Sequence, residues 1–363
     1  MNFIYYTIQY TVHVGVIFLA SIKDVAQLSG FSVSAVSKYL KNPDSVRKIT
    51  RARIENAIRE LDYTPSTQAR ALRSGKTGMI SIISPNITNP FFSEMFSAIQ
   101  LRAREYGYTA LLQTISSVQE AEESIVSHAF AVSSTNRVDG MIVCFPDEDE
   151  IMQMLRNQRK KLPIVLLSWN PQKEADVTVV VDVEKSIFEI TNYLIAQGHQ
   201  KIAYVGAPKS STTSQAKEKG FFRAMKAAGL NVDDSLIYHG PYCTETGYLA
   251  TKNFWKQQFN PTAIITEADI FAVGCIKYCH TMGISIPEQL AITGFDDIPI
   301  AELYNPSITT VRIPIHEIST KAMDSLYQIL HDPMSIIQRI RPYNTQLVIR
   351  RSTNASYIED ILD

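Results

Sequence analysis

The sequence predicts two unlike parts: a small all-helical unit at the N-terminus and a large α/β body of two Rossmann-like, doubly wound parallel sheets. Three observations carry this. Residues 21–63 hold three short segments with apolar residues at helical spacing and a glycine between the first two. From Met79 onward, continuous β-branched apolar runs alternate with helical segments, the pattern of strands buried on both faces. With 363 residues, 45% apolar and 20% charged, the chain is long enough for two or three compact units, and its composition excludes disorder, collagen and coiled coil.

Charge separates the same two parts. The net charge is −1, yet Ser21 to Gly78 carry 11 Lys/Arg against 5 Asp/Glu, while Met79 to Asp363 carry 24 against 31. A basic head on an acidic body is the pattern of a nucleic-acid-binding module joined to something else; a merely solvated basic face is the alternative. Four irregularly spaced cysteines, Cys144, Cys243, Cys275 and Cys279, do not make a disulfide framework and favour a reducing compartment, the cytoplasm.

Residues 1–20 form an uncharged extension in which 14 of 20 are apolar, and Ile8 to Val14 alternate with period 2. The first Lys is Lys23, so a secretory signal with a basic start is not expected. A membrane anchor interrupted by Gln9, Thr11 and His13 stays open, and so does a start codon at Leu19 that would give Met-Ala-Ser-Ile-Lys-Asp. No later stretch approaches the ~20 apolar residues of a membrane helix.

In the head, Ile22, Val25, Ala26 and Leu28-Ser29 give a short helix that Gly30 ends, since glycine takes the positive φ of a tight turn. Ser32 can cap a second helix whose apolar stripe is Val33, Val36, Tyr39 and Leu40. A third follows Thr50, with Ile54, Ala57, Ile58 and Leu61 on one face. Three helices with a glycine turn between the first two make the helix-turn-helix plan, whose second helix enters the major groove. On that helix Lys38 can donate to guanine, Ser34 can donate or accept, and Val33 can meet a thymine methyl. Generic helical hairpins share this pattern.

The wording of the head goes further. Ile22-Lys-Asp-Val-Ala-Gln-Leu-Ser-Gly-Phe-Ser-Val-Ser-Ala-Val-Ser-Lys-Tyr-Leu, then Asn42-Pro43, Thr50-Arg51 and Ala57-Ile-Arg-Glu-Leu-Asp-Tyr-Thr-Pro65, resemble the N-terminal domain of the LacI/GalR family of bacterial repressors. That resemblance implies a DNA-binding domain at 21–65, with Ser32, Val33, Ser34, Ser37 and Lys38 meeting DNA. It also implies a hinge helix and linker at 66–78 that order on operator DNA. Ser66 to Arg73 is too short to be a stable helix alone, and the resemblance makes Leu72, with Ala69 one turn earlier, a wedge in the minor groove. A flexible linker is the bland alternative. Gly75-Lys76-Thr77 is not a phosphate loop, because the glycine it needs five residues earlier is Arg70.

Strands are expected at Met79–Ser84, Ala110–Gln113, Gly140–Cys144, Pro163–Leu167, Val177–Asp182, Lys201–Gly206, Ala263–Thr266 and Leu290–Phe295. Ligands of such folds sit beyond the carboxyl ends of the strands. No Gly-x-Gly-x-x-Gly follows any strand, so a Rossmann dehydrogenase lacks its fingerprint. There is no His-Glu-x-x-His and no Gly-x-Ser-x-Gly, and Cys275, Cys279 and His280 lack a further metal ligand. Neither an enzyme, a metal nor a cofactor is expected.

The resemblance continues through Asn89-Pro-Phe-Phe, Val138-Asp-Gly, Gly198-His-Gln-Lys-Ile-Ala-Tyr-Val-Gly, Lys217-Glu-Lys-Gly-Phe-Phe-Arg-Ala-Met, Gly294-Phe-Asp-Asp, Thr309-Thr-Val-Arg and Leu347-Val-Ile-Arg-Arg-Ser-Thr. It implies a periplasmic-binding-protein-like (type I) effector and dimerisation domain at 79–353. Its N-subdomain would take about 79–180 and 310–340, its C-subdomain about 181–309 and 341–353, leaving a tail at 354–363. By the same resemblance Phe91, Phe92, Asp182, Lys217, Tyr242, Asp269 and Asp296 line the effector pocket. Carboxylates beside aromatics suit a carbohydrate or nucleoside. For each residue alone a structural role is the rival: Phe91 and Phe92 as core, Asp182 as a cap.

Several positions depart from the family pattern. Lys217 stands for a frequent Arg, Ala268 for Asn and Ile313 for Gln; in the head Lys38 stands for Arg, Ala35 for Thr and Arg47 for a capping Ser. Lys217 also resembles the catabolite control proteins, which answer to a phosphorylated carrier protein. The implied function is a homodimeric repressor of a carbohydrate-utilisation operon that binds near-palindromic operator DNA under control of a small sugar-like effector. A phosphocarrier co-regulator, or a solute-binding module without regulatory role, are the alternatives.

Overall fold

The computed structural model describes residues 20–63, 76–85, 87–114, 138–145, 155, 162–169, 175–332 and 342–356. Residues 1–19 and the segment holding Ala69 and Leu72 lie outside the described residues. The chain divides into one unit ending at Thr77 and another from Gly78 to Asp363.

The first unit contains α1 (Ile22–Ser29), α2 (Val33–Lys41) and α3 (Lys48–Glu60). Gly30 ends α1 at φ +75°, and its amide satisfies the Ala26 and Gln27 carbonyls. Ser32 caps α2, accepting from the Ala35 amide at 3.2 Å. Val25, Ala26, Val36, Ile54 and Ala57 form the core, with Phe31, Tyr39, Leu40, Ile58 and Leu61 packed around it. Leu28 is outside it, 45% exposed. α3 begins at Lys48, earlier than the expected start after Thr50, with Arg47 as an extended N-cap whose side chain makes no capping bond. A buttress ties α2 to α3: the Tyr39 hydroxyl donates to Glu55 at 3.1 Å, and Arg51 bonds both Glu55 (2.8 Å) and Asp44 (2.9 Å). These hydrogen bonds hold the Glu55 carboxyl below its ordinary range.

The second unit has two lobes. In the N lobe, β1 (Met79–Ser84), β2 (Thr109–Thr114), β3 (Gly140–Cys144), β4 (Ile164–Ser168) and β5 (Val177–Val180) lie in the order β2-β1-β3-β4-β5, all parallel. α4 (Pro90–Glu105) lies between β1 and β2 in the chain, and α5 (Val183–Ala196) follows β5. In the C lobe, β6 (Ile202–Gly206), β7 (Ile237–His239), β8 (Ala263–Thr266) and β9 (Ala291–Thr293) lie in the order β7-β6-β8-β9, again parallel. Its helices are α6 (Thr212–Ala227), α7 (Thr244–Lys256), α8 (Asp269–Met282) and the short α9 (Pro299–Leu303).

The chain passes between the lobes three times. After β5, Val181 bridges to Tyr343. β10 (Thr310–Arg312) leads from β9 to α10 (Ile315–His331), which packs on β3, β4, β5 and α4 of the N lobe. β11 (Gln346–Val348) returns antiparallel to β10. The eight strands expected from sequence are present, because runs such as Ile164–Leu167 and Ala263–Thr266 are buried on both faces. β7, β10 and β11 were not expected: each is three residues long and none is buried throughout. Among the described residues no helix is long and apolar enough to cross a membrane.

Candidate functional site

On the head, the residues left outside the core lie together on α2. Ser32, Val33, Ser34 and Lys38 are exposed, and the Ser32 and Ser34 hydroxyls are 2.9 Å apart. Ser37 is half-buried and has a partner of its own. Lys41, Arg47, Lys48 and Arg53 are exposed cations around them. Arg51 is taken up by the Glu55 and Asp44 contacts, so it belongs to the buttress.

In the second unit, the carboxyl ends of the strands carry the cleft. On the N-lobe side Asn89 caps α4 by accepting from the Phe91 amide at 3.1 Å, with Pro90 at the first helical position, so the Asn-Pro-Phe-Phe motif is a helix start. Phe91 is core, 2% exposed, and meets half-buried Phe92 edge-on at 5.1 Å. Phe145, after β3, takes a positive φ of +46° and stacks on Trp169, after β4, at 3.8 Å and 19°. Left-handed backbone in a bulky residue costs about 1–3 kcal/mol and is kept where the surroundings demand it. Here it lays Phe145 between Phe91, 5.9 Å away, and Trp169.

On the C-lobe side Lys217 of α6 is 3% exposed; its ammonium donates to the Glu267 carbonyl at 2.8 Å. It lies 3.9 Å from the Phe295 ring centre and 5.7 Å from that of Trp169, so one cation touches an aromatic face from each lobe. The Glu267 carboxylate, almost fully buried, accepts from Tyr204 (2.6 Å), Ser214 (2.6 Å) and the Ala207 amide (3.0 Å). Burial pushes its pKa up, against Lys217 and these donors.

Asp296, after β9, is 4% exposed at φ +109° and accepts from the Tyr242 hydroxyl at 3.3 Å. Burial raises its pKa to about 7, against Lys217 and Tyr242. The structure thus brings Lys217, Tyr242 and Asp296 together. Two other expected residues have structural partners. Asp269 is wholly buried, accepting from Thr310 (2.6 Å) and the Ile298 amide (2.9 Å), so its carboxyl pins the ends of β9 and β10. Burial and neighbouring Asp296 push its pKa well up. Asp182 caps α5, accepting from the Lys185 amide at 3.0 Å. Trp169, Phe145 and Phe295 were missed, since one aromatic after a strand has no periodicity to mark it.

The sign of the pH effect follows from these carboxyls. Their pKa values are higher in the folded chain than in an unfolded one, so the folded state holds more protons between about pH 4 and 7 and loses stability as pH rises through that window. Each titrating group contributes at most about 1.4 kcal/mol per pH unit. The melting temperature is expected to fall from pH 5 to pH 8, and Asp296→Asn to flatten that slope. Differential scanning calorimetry of both proteins checks this; identical slopes would show that Asp296 does not titrate there.

The residues offer no metal site: among the described residues no three His, Cys, Asp or Glu side chains are grouped to hold an ion. Cys275 and Cys279 are buried in the C-lobe core, and burial pushes the Cys275 thiol up to about 12.

Comparison with known proteins agrees with both halves. Residues 21–66 match the family model "Bacterial regulatory proteins, lacI family", and residues 191–353 match the "Periplasmic binding protein-like domain". Over 343 residues the chain is 31% identical to the HTH-type transcriptional repressor CytR of Escherichia coli K12, covering 93% of this chain and 97% of that protein. The chain belongs to the LacI family. This LacI-family chain is a DNA-binding transcriptional repressor with an effector-binding domain. It is also 29% identical to the repressor PurR of Vibrio vulnificus over 332 residues, 92% of this chain and 98% of that one. In fold it is similar to the Lac repressor dimer bound to operator and the anti-inducer ONPF, with TM-score 0.81, 22% identity and coverage of 92% and 99%. The CelR–cellobiose complex matches with TM-score 0.68, 22% identity and the same coverage.

Proposed function

We propose that the chain acts in the cytoplasm as a homodimer on a near-palindromic operator of a carbohydrate-utilisation operon, and that a small sugar or sugar derivative in the cleft sets its operator affinity. Ser32, Val33, Ser34, Ser37 and Lys38 read the major groove, and Leu72 with Ala69 serves as the minor-groove wedge of the hinge at 66–78. The effector domain is 79–353. The single observation that carries the effector reading is Trp169 stacked on Phe145 opposite Lys217 and Asp296. An aromatic face covers the C–H surface of a sugar ring, while an ammonium and a carboxyl meet its hydroxyls. The CelR neighbour was solved with cellobiose, and the Lac repressor neighbour as a dimer on operator. One short recognition helix reads few base pairs, and a second half-site supplies the missing affinity.

One feature favours a second reading. Lys217 places its own ammonium between the two aromatic faces, where a ligand group would otherwise lie, which suits control by a phosphocarrier protein instead.

Fluorescence anisotropy on a selected operator distinguishes the readings, with sugars, sugar phosphates, nucleosides and phosphorylated carrier protein added in turn. One sugar-class compound is expected to change affinity at least tenfold; a response to the carrier alone transfers the assignment to the second reading. Leu72→Ala is expected to weaken operator binding about tenfold or more by removing the wedge. Unchanged operator affinity in that variant would remove the hinge assignment.

A further inference from the structure

The loop after β9 places two successive aspartates in positive-φ backbone, Asp296 at +109° and Asp297 at +58°. Non-glycine residues hold such angles where surrounding contacts over-determine them. The pair sends its carboxyls to different places. Asp296 bonds Tyr242 in the cleft. Asp297 turns to the crossovers: its Oδ2 accepts from Arg312 Nε at 2.5 Å, and its Oδ1 from Arg350 Nη1 at 2.7 Å.

Those two arginines mark the two crossings that flank α10. Arg312 is the last residue of β10, three positions before α10 begins at Ile315 in the N lobe. Arg350 stands two residues after β11, where the chain has returned to the C lobe, and its Nη1 also donates to the Ile308 carbonyl at 3.0 Å. Asp297 and Arg350 are buried, with side chains 6% and 5% exposed, whereas Arg312 is 49% exposed beside an open cavity of about 570 Å³ lined also by Pro314, Glu317 and Tyr343. The backbone joins the same parts: the Asp296 amide donates to the Val311 carbonyl at 2.9 Å, and Asp296 bridges to Arg312.

We propose that Asp297 is a positioning residue that sets the angle between the lobes, by clasping Arg312 and Arg350 while Asp296, next to it, faces the cleft. A shift of Asp296 then moves the clasp, and a shift of the crossovers moves Asp296, so cleft and lobe angle change together. The consequence for effector response rests on the cleft reading above; the control of lobe angle does not. Two arginines on one carboxylate fix orientation as well as distance, because each guanidinium is a planar, multi-donor group.

The test reads the lobe angle alone, in the full chain without any effector. Spin labels go on Gln100 of α4 and Lys252 of α7, both exposed, after Cys243→Ser removes the exposed thiol; the other three cysteines are buried. Pulsed electron–electron resonance gives the distribution of distances between the lobes. Asp297→Asn and Arg312→Met are each expected to widen it at least twofold. The double variant is expected to be no wider than the wider single, since both remove one contact. Arg312→Lys is expected to fall between wild type and Arg312→Met. Arg312→Met removes a half-exposed side chain, so it decides the matter even where Asp297→Asn fails to fold. An unchanged width in Arg312→Met overturns the proposal, and so does a lower melting temperature with unchanged width, which is what a purely structural ion pair would give.

Discussion

Gly274→Val is expected to unfold the C lobe at ordinary temperature. α7 and α8 cross with almost no separation, and each contributes a glycine to the crossing. A Cβ on Gly274 would lie 1.9 Å from the Thr244 carbonyl oxygen and 2.8 Å from the Tyr248 amide nitrogen; one on Gly247 would lie 1.9 Å from the Phe271 carbonyl oxygen. All these neighbours are backbone, so no rotamer change relieves the clash. The crossing is also bonded: the Gly247 carbonyl accepts from Thr251 within its own helix at 2.9 Å and from the Cys275 thiol of α8 at 3.4 Å.

Alanine gains about 1 kcal/mol of helix propensity over glycine, but overpacking a dense core costs about 1–3 kcal/mol or more. Gly274→Ala and Gly247→Ala are therefore expected to be net destabilising, and the valine variants to lose more than about 4 kcal/mol, since helix and strand backbones would have to separate. Urea denaturation followed by circular dichroism measures this. Exposed Thr281→Ala, on the same helix α8, serves as the unaffected comparison. A midpoint for Gly274→Val within experimental error of wild type would show that the helices are not in backbone contact.

Lys38→Ala is expected to reduce affinity for the specific operator by about 1–3 kcal/mol per half-site, the worth of a well-placed base contact. Lys38 is exposed in the last turn of α2, and among the described residues no carboxylate pairs with it, so its removal leaves the head core of Val25, Val36 and Ile54 intact. Lysine is a compact point charge without the planar fork of arginine, so discrimination at its base pair should be weaker than an arginine would give. Lys41→Ala, by contrast, is expected to weaken specific and non-specific DNA alike and to reduce the salt dependence by about one counterion. Titrations at two salt concentrations against operator and random duplex separate the two behaviours. Equal losses on both DNAs for Lys38→Ala would make it a phosphate contact.

The parts legible in the sequence were those where one physical demand acts on a run of residues. Strands buried on both faces must be apolar throughout, so Ile80–Ile83 and Ile202–Val205 announced themselves. Ser32 and Gly30 announced the turn into α2, because capping and positive φ each restrict residue type. β7, β10 and β11 were illegible because short edge and crossover pairs carry no continuous pattern. Of the cleft, Lys217, Tyr242 and Asp296 were found through the family resemblance. Asp269 and Asp182 came with them, although their carboxyls serve Thr310, Ile298 and Lys185. Trp169, Phe145, Phe295 and the Asp297 clasp depend on which strand ends become neighbours, and that is set by sheet order. Gly247 and Gly274 read as helix weaknesses until the two helices are laid against each other.

The central claim is that the exposed face of α2, paired across a dimer, reads a two-fold symmetric operator. Selection from a random-sequence duplex library with the purified full chain, read by sequencing, tests it most directly. The account predicts enrichment of one near-palindrome with a deformable central step, lost when the same selection is run with Lys38→Ala and Leu72→Ala combined. Failure to enrich any sequence, or enrichment of an asymmetric site that the double variant still selects, would contradict it.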